Sequence, residues 1–259
     1  MRNYKQHYEA CKLKWLKNSS DVSTDISSLT LEQNTLEYST AIFKSVVEQV
    51  NVALDSDNLV VYNTFNKAIK DPRTLPAIKQ LATQILPQIE QKYFNCFSNV
   101  EFIHCYENLH VSLEESSSWL WHYDNCPVPF IKIAFHISEA TETGGCMKIL
   151  VDRNKEPIKM KTDKISPSSI SNTSSRISYE HVESLKKIGY SEKSLIGKAG
   201  SSFIFSPNIL HKATIPMYNT VHRKILMFYV RPAMSRHEDV FTKTRVIKRG
   251  VDVKRYDLD

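Results

Sequence analysis

The chain has 259 residues, of which 41 % are hydrophobic and 24 % charged, with a formal net charge of +6. This balance excludes a chain disordered throughout, and no stretch approaches the ~20 consecutive apolar residues of a membrane span. The small positive excess accommodates an anionic small-molecule partner, whereas it is too weak and too evenly spread to predict nucleic-acid binding, and no segment signals a partner protein.

Residues 1–30 are polar and crowded with serine toward their end; only Cys11, Leu13, Trp15 and Leu16 suggest a short helix, so a weakly ordered arm is expected. From Thr35 onward Ile42, Phe43, Val46, Val47, Val50, Val52 and Leu54 fall near a helical period that stops at Asp55, predicting an amphipathic helix. A second stripe follows Asp71 and Pro72, with Leu75, Ile78, Leu81, Ala82, Ile85, Leu86 and Ile89 on one face, and Pro87 is expected to kink or restart it. Beyond Phe97 the texture turns to β. Residues 100–113 alternate until Glu107 and Asn108, where a bulge or turn is expected, and Trp119 and Trp121 read as sheet-packing aromatics. Residues 130–137 put Ile131, Ile133, Phe135 and Ile137 on one face and Lys132, Ala134 and His136 on the other; if the polar face lines a cleft, Lys132 and His136 are candidate substrate contacts. Residues 152–198 are rich in Asp, Lys, Ser and Asn, with a short helix expected near 179–188, and read as a lid-like insertion. Strands are predicted over 201–205 and 223–230, and a basic, solvated tail over 236–259. The whole predicts a single domain over 31–235, mainly β with flanking helices, the helices lying within 31–95.

The five cysteines, Cys11, Cys96, Cys105, Cys126 and Cys146, form no C-x-x-C pair, and the odd number leaves a thiol free. With no apolar signal-peptide core at the start, this predicts a reducing, cytoplasmic setting.

Chemistry concentrates in Trp121-His122-Tyr123-Asp124. On an extended strand residues two apart project from one face, so the imidazole of His122 and the carboxylate of Asp124 can reach a common ion. His211 lies 87 residues beyond Asp124, after a β-rich run closed by a Ser-Pro-Asn turn, and Arg223 follows 12 residues later. Two imidazoles and one carboxylate on one face leave the opposite coordination positions open, as non-haem iron(II) oxygenases require, and an arginine nearby supplies a planar anion clamp. Arg231 is the rival clamp, and its greater distance from His211 disfavours it. His7, His181, His222 and His237 sit in polar context and are expected at the surface, while His104 reads as a core histidine.

Trp121-His122-Tyr123-Asp124, then Gly144-Gly145, then Gly197-Lys-Ala-Gly200 ahead of a strand, then His211, Asn219 and Arg223 resemble the phytanoyl-CoA dioxygenase family over roughly residues 100–235. The resemblance implies a double-stranded β-helix and an iron(II)- and 2-oxoglutarate-dependent oxygenase using dioxygen. It implies that His122, Asp124 and His211 bind iron and that Arg223 pairs with the distal carboxylate of 2-oxoglutarate. Asn108, His110 and Thr214 are then the further candidates for contact with the cosubstrate, Thr214 because the small hydroxyl residue usual two positions after the distal histidine is Ala213 here. In place of the family's Gly-Ser-His-like stretch after the glycine pair stands Met147-Lys-Ile-Leu-Val-Asp152. A carboxylate at Asp124 favours hydroxylation of an unactivated carbon. Two alternatives stay open: an inert metal- or ligand-binding module of the same fold, and a zinc hydrolase built on the same three residues.

Overall fold

The structure, a computed structural model, describes residues 4–16, 26–56, 59–62, 66–108, 117–161, 175–217, 223–236 and 240–241. Its strands are β1 (Leu31–Gln33), β2 (Leu59–Tyr62), β3 (Asn66–Ile69), β4 (Phe97–Asn108), β5 (Ile131–His136), β6 (Met147–Val151), β7 (Ser191–Leu195), β8 (Ser202–Phe205), β9 (His211–Ala213) and β10 (Lys224–Ala233). They form a seven-stranded sheet in the order β1-β8-β5-β10-β4-β3-β2 and a three-stranded sheet in the order β7-β6-β9. The paired strands run antiparallel throughout. The small sheet closes over the large one, giving the double-stranded β-helix expected.

Alternation along the central strands separates two cores. Ile131, Ile133 and Phe135 of β5, Leu226, Phe228 and Val230 of β10 and Ile204 of β8 face outward into a cluster shared with the helices. Their neighbours Ala134, Ile225, Met227, Phe203 and Phe205 face inward against Met147, Ile149, Val151 and Leu195 of the small sheet. Each fully buried side chain of this kind contributes roughly 1.5–3 kcal/mol, so the two-residue period fixes which face is inside.

Helices α2 (Thr40–Leu54) and α3 (Pro76–Ile89) cover the outer face. Ser39 caps α2 by accepting from the Ile42 N–H, and Phe43, Val46, Val50 and Leu54 form its buried stripe. Pro87 neither ends nor restarts α3, which runs through it to Ile89 and widens into a π turn over Glu90–Phe94. Proline sits in the last turn, where it removes a single N–H just before the pitch changes.

The short helix suggested near the start is α1 (Tyr4–Leu16), which begins earlier than the apolar residues that signal it, buries Cys11 and packs Tyr8 and Trp15 on the outer core. Three features depart from the sequence reading. His7, expected at the surface, is buried, its Nε2 3.2 Å from the Pro232 carbonyl oxygen, because α1 lies along β10 and turns that face of the helix to the sheet. The irregularity in β4 falls earlier than expected: Tyr229 pairs with Phe102 but Val230 with Val100, leaving Glu101 as the extra residue. Finally, the insertion is only partly an insertion, since Ser191–Leu195 is strand β7, paired along its length with β6. Helix α4 (Tyr179–Lys187), capped by Ser178, matches the helix expected there. Of the tail, Val240 and Phe241 join the outer core and Arg236 pairs with Glu90; the rest lies outside the described residues. Among the described residues no helix is long and apolar enough to cross a membrane.

Candidate metal centre

His122 and Asp124 sit on an extended segment that lies against β9. The His122 N–H donates to the His211 carbonyl at 2.9 Å and the His211 N–H returns to the His122 carbonyl at 2.8 Å. Asp124 is held in turn by its N–H to the Pro207 carbonyl at 3.0 Å. Residues facing each other in such a pair project their side chains from one face, so the two imidazole centroids lie 4.3 Å apart with the ring planes tilted by 46°. Asp124 Oδ2 lies 3.8 Å from His211 Nε2, and one ligand atom from each of the three residues falls within 4.8 Å of the others.

The protonation states suit a cation. His122 Nδ1 donates to the Leu120 carbonyl and His211 Nδ1 to the Ile209 carbonyl, each at 2.8 Å, which leaves the lone pair on Nε2. Burial pushes His211 down to about 3, aided by the neighbouring His122, and burial lowers His122 as well. Burial would raise the Asp124 carboxyl, but Lys132 and then the two histidines override it and hold it at about 2. At neutral pH the set is therefore two neutral imidazoles and a carboxylate, with borderline nitrogen and hard oxygen donors that fit iron(II) or zinc.

Lys132 points inward, its Nζ 2.5 Å from Asp124 Oδ2, with the Tyr229 ring 4.7 Å and the Phe205 ring 5.7 Å away. Burial disfavours its charge, yet Asp124 wins and keeps the ammonium well above the ordinary lysine range. Lys132 thus lies in the interior, which makes the polar face of β5 the inner one, and its partner is the Asp124 carboxylate.

Arg223, one residue ahead of β10, is 1 % exposed, and its Nε and Nη1 make no hydrogen bond. A buried guanidinium with two idle donors is costly unless an anion completes it. The Asn108 N–H donates to the Arg223 carbonyl at 2.9 Å, and the Asn108 side-chain amide donates to the Gly145 carbonyl at 3.3 Å, so Asn108 lies beside Arg223. His136 is there too, 1 % exposed, with neither ring nitrogen in hydrogen-bond geometry and the Phe203 ring edge-on at 5.0 Å. Burial and then Arg223 push it down to about 3; the Leu195 backbone lies close enough to oppose this slightly without forming a bond. Arg231 is placed otherwise: its Nε bonds the bulged Glu101 at 2.7 Å, far along β10 from Arg223. Thr214 spends its hydroxyl on the Cys146 carbonyl at 2.8 Å. His110 and Asn219 lie outside the described residues. His104, expected in the core, is only half-buried, edge-on to Phe102, Tyr106 and Tyr229.

One residue near the site carries no sequence signal. Arg176, in the insertion, pairs backbone to backbone with His122, and the flanking Tyr123 and Ile177 N–H groups bond Ser175 and Trp121 carbonyls at 3.1 and 2.9 Å. Only the pairing, invisible in a run of Ser and Asn, brings it there.

No family model matches the sequence, and no curated protein matches it. Solved structures do resemble the fold. EctD from S. alaskensis, solved with 2-oxoglutarate and 5-hydroxyectoine, superposes with a TM-score of 0.54 at 10 % identity, covering 88 % of this chain and 85 % of that one. The non-heme alpha ketoglutarate dependent epimerase SnoN from nogalamycin biosynthesis gives 0.52 at 9 % identity over 87 % and 83 %. HygX from Streptomyces hygroscopicus, with nickel, 2-oxoglutarate and hygromycin B bound, gives 0.51 at 12 % identity over 83 % and 91 %.

Proposed function

We propose that the protein is an iron(II)- and 2-oxoglutarate-dependent oxygenase that hydroxylates an unactivated carbon of a small, anionic molecule, releasing succinate and carbon dioxide. In this reading His122, Asp124 and His211 hold the metal. Arg223 receives the distal carboxylate of 2-oxoglutarate through a forked, charge-assisted pair, with His136 beside it as a second contact and Asn108 bracing its backbone. When bound, iron(II), 2-oxoglutarate and dioxygen together supply the oxidation of a C–H bond coupled to decarboxylation of the 2-oxo acid. The chain's own part is to present three ligands on one side, keep both imidazoles neutral by burying them, and use their Nδ1 bonds to leave the Nε2 lone pairs for the ion. A free thiol at each described cysteine agrees with the reducing, cytoplasmic setting in which ferrous iron persists.

The observation that carries the proposal is the idle guanidinium of Arg223. A hydrolytic zinc site would need the same three ligands but would give that buried cation nothing to bind. The test is anaerobic titration with ferrous iron and then 2-oxoglutarate, following the visible charge-transfer band of the chelate in wild type and Arg223→Ala. A band in wild type that weakens in the variant is expected; an iron-loaded wild type with no band would remove the oxygenase reading.

A further inference from the structure

Asp124 Oδ2 is the oxygen that approaches His211 Nε2, at 3.8 Å, and the ammonium of Lys132 rests on that same oxygen at 2.5 Å. Lys132 reaches it from β5, is 3 % exposed, and is felt as a charge by both His122 and His211, so all three candidate ligands lie within its electrostatic reach. A divalent ion bound to Oδ2 at about 2.1 Å would leave the ammonium no more than about 4.6 Å away. Like charges that close repel strongly where water is excluded, and one carboxylate offsets only one of the three positive charges. The ammonium has other partners to fall back on. The Tyr229 hydroxyl is a hydrogen-bond partner, and the Tyr229 and Phe205 rings, 4.7 and 5.7 Å from Nζ, offer faces that stabilise a cation.

We infer that Lys132 is a resident counter-ion of the metal site: its ammonium neutralises Asp124 while no ion is bound, gives up Oδ2 when a divalent cation takes it, and by that competition sets how tightly the site holds metal. The inference rests on the reading of His122, Asp124 and His211 as metal ligands, and it makes Lys132 a positioning residue for that set. Without this lysine the carboxylate would be grouped with two neutral imidazoles, which cannot compensate it. With it, Asp124 has a cation beside it in either state, and the folded protein keeps the three ligands together before the ion arrives. The cost of that arrangement falls on affinity, since the ion must displace a charge-assisted contact to reach Oδ2.

The test is the affinity for manganese(II), read from the paramagnetic resonance signal of the free ion, in wild type, Lys132→Met and Lys132→Ala. Lys132→Met keeps an apolar stem and removes the competitor, so it should bind manganese(II) about tenfold more tightly than wild type. Lys132→Ala should gain likewise, and added methylammonium, which can enter the space left by the end of the side chain, should weaken its binding toward the wild-type value while leaving wild type unaffected. A role confined to packing would give neither the gain nor the response to methylammonium. Equal or weaker binding in Lys132→Met, or an affinity in Lys132→Ala that ignores methylammonium, overturns the inference, while uptake of manganese(II) by wild type leaves the metal reading in place. Folded wild type and variants that all fail to bind manganese(II) bring down both.

Discussion

Lys132 and Asp124 form an ion pair inside the barrel, Nζ to Oδ2 at 2.5 Å, and the same oxygen is the one that turns toward His211. The carboxylate proposed as a metal ligand is thus already compensated by a fixed cation. Removing one partner of a buried pair costs far more than removing both, since the survivor is left charged and unsolvated.

Lys132→Met should therefore lower the stability of the metal-free protein by about 3 kcal/mol at neutral pH, the low end for an interior pair because Asp124 retains some solvent contact. Urea midpoints would read this, and adding manganese(II) should restore much of the loss by giving Asp124 a new counter-charge. A variant as stable as wild type without metal would contradict the pairing.

The two buried arginines of β10 and its approach should respond in opposite ways. Arg231→Leu breaks the bond to Glu101 and is expected to cost about 3–5 kcal/mol with no change in 2-oxoglutarate affinity. Arg223→Leu removes a guanidinium with idle donors, so its urea midpoint should hold or rise while the chelate band is lost. Paired denaturation and titration of the two variants distinguish structure from function; a large stability loss in Arg223→Leu would mean the guanidinium is a packing element after all.

His136 makes folding pH-dependent with a definite sign. Its folded value is about 3, against 6.5 for a freely solvated histidine, so the unfolded chain binds the proton first. The contribution is fully present above pH 6.5 and is lost as pH falls from there toward 3, at about 1.4 kcal/mol per pH unit. His211 adds a slope of the same sign in the metal-free protein. Between about pH 7 and 5, His136→Gln should flatten the fall in stability by about 2 kcal/mol; parallel pH profiles for wild type and variant would refute this.

Gly145 has φ of +85°, and a Cβ there would lie 2.9 Å from Pro216 Cγ and 3.1 Å from the Thr214 carbonyl oxygen. Gly145→Ala should cost about 1–3 kcal/mol in stability. Because Gly145 also accepts from Asn108, the variant should weaken 2-oxoglutarate binding as well, which titration would detect.

How much of this is legible in the sequence depends on whether the information is local. The stripes of α2 and α3 and the two faces of β5 follow from periodicity, which puts Lys132 and His136 together on one face but does not say whether that face looks inward or to solvent. The spacing of His122 and Asp124 and the turn before His211 mark the three residues that the fold brings together. Strand β7 is hidden because Ser191–Leu195 buries only Leu195 fully and spends its other side chains on solvent and surface pairs. Arg176 is hidden because its location is a matter of pairing with a distant segment, and His7 because its burial is decided by where α1 docks.

The reciprocal backbone bonds between His122 and His211 have a consequence for how this scaffold tolerates change. The spread between the two imidazoles is set by a ladder rung, as the jaws of a calliper are set by their slide, and not by the length of chain joining them. Residues can be added or removed between those points, as the segment carrying α4 suggests, without altering the bite on an ion. Because the gauge is cut into the backbone pairing itself, what sets the bite is the register of that rung, and a shift of register there would separate the two rings.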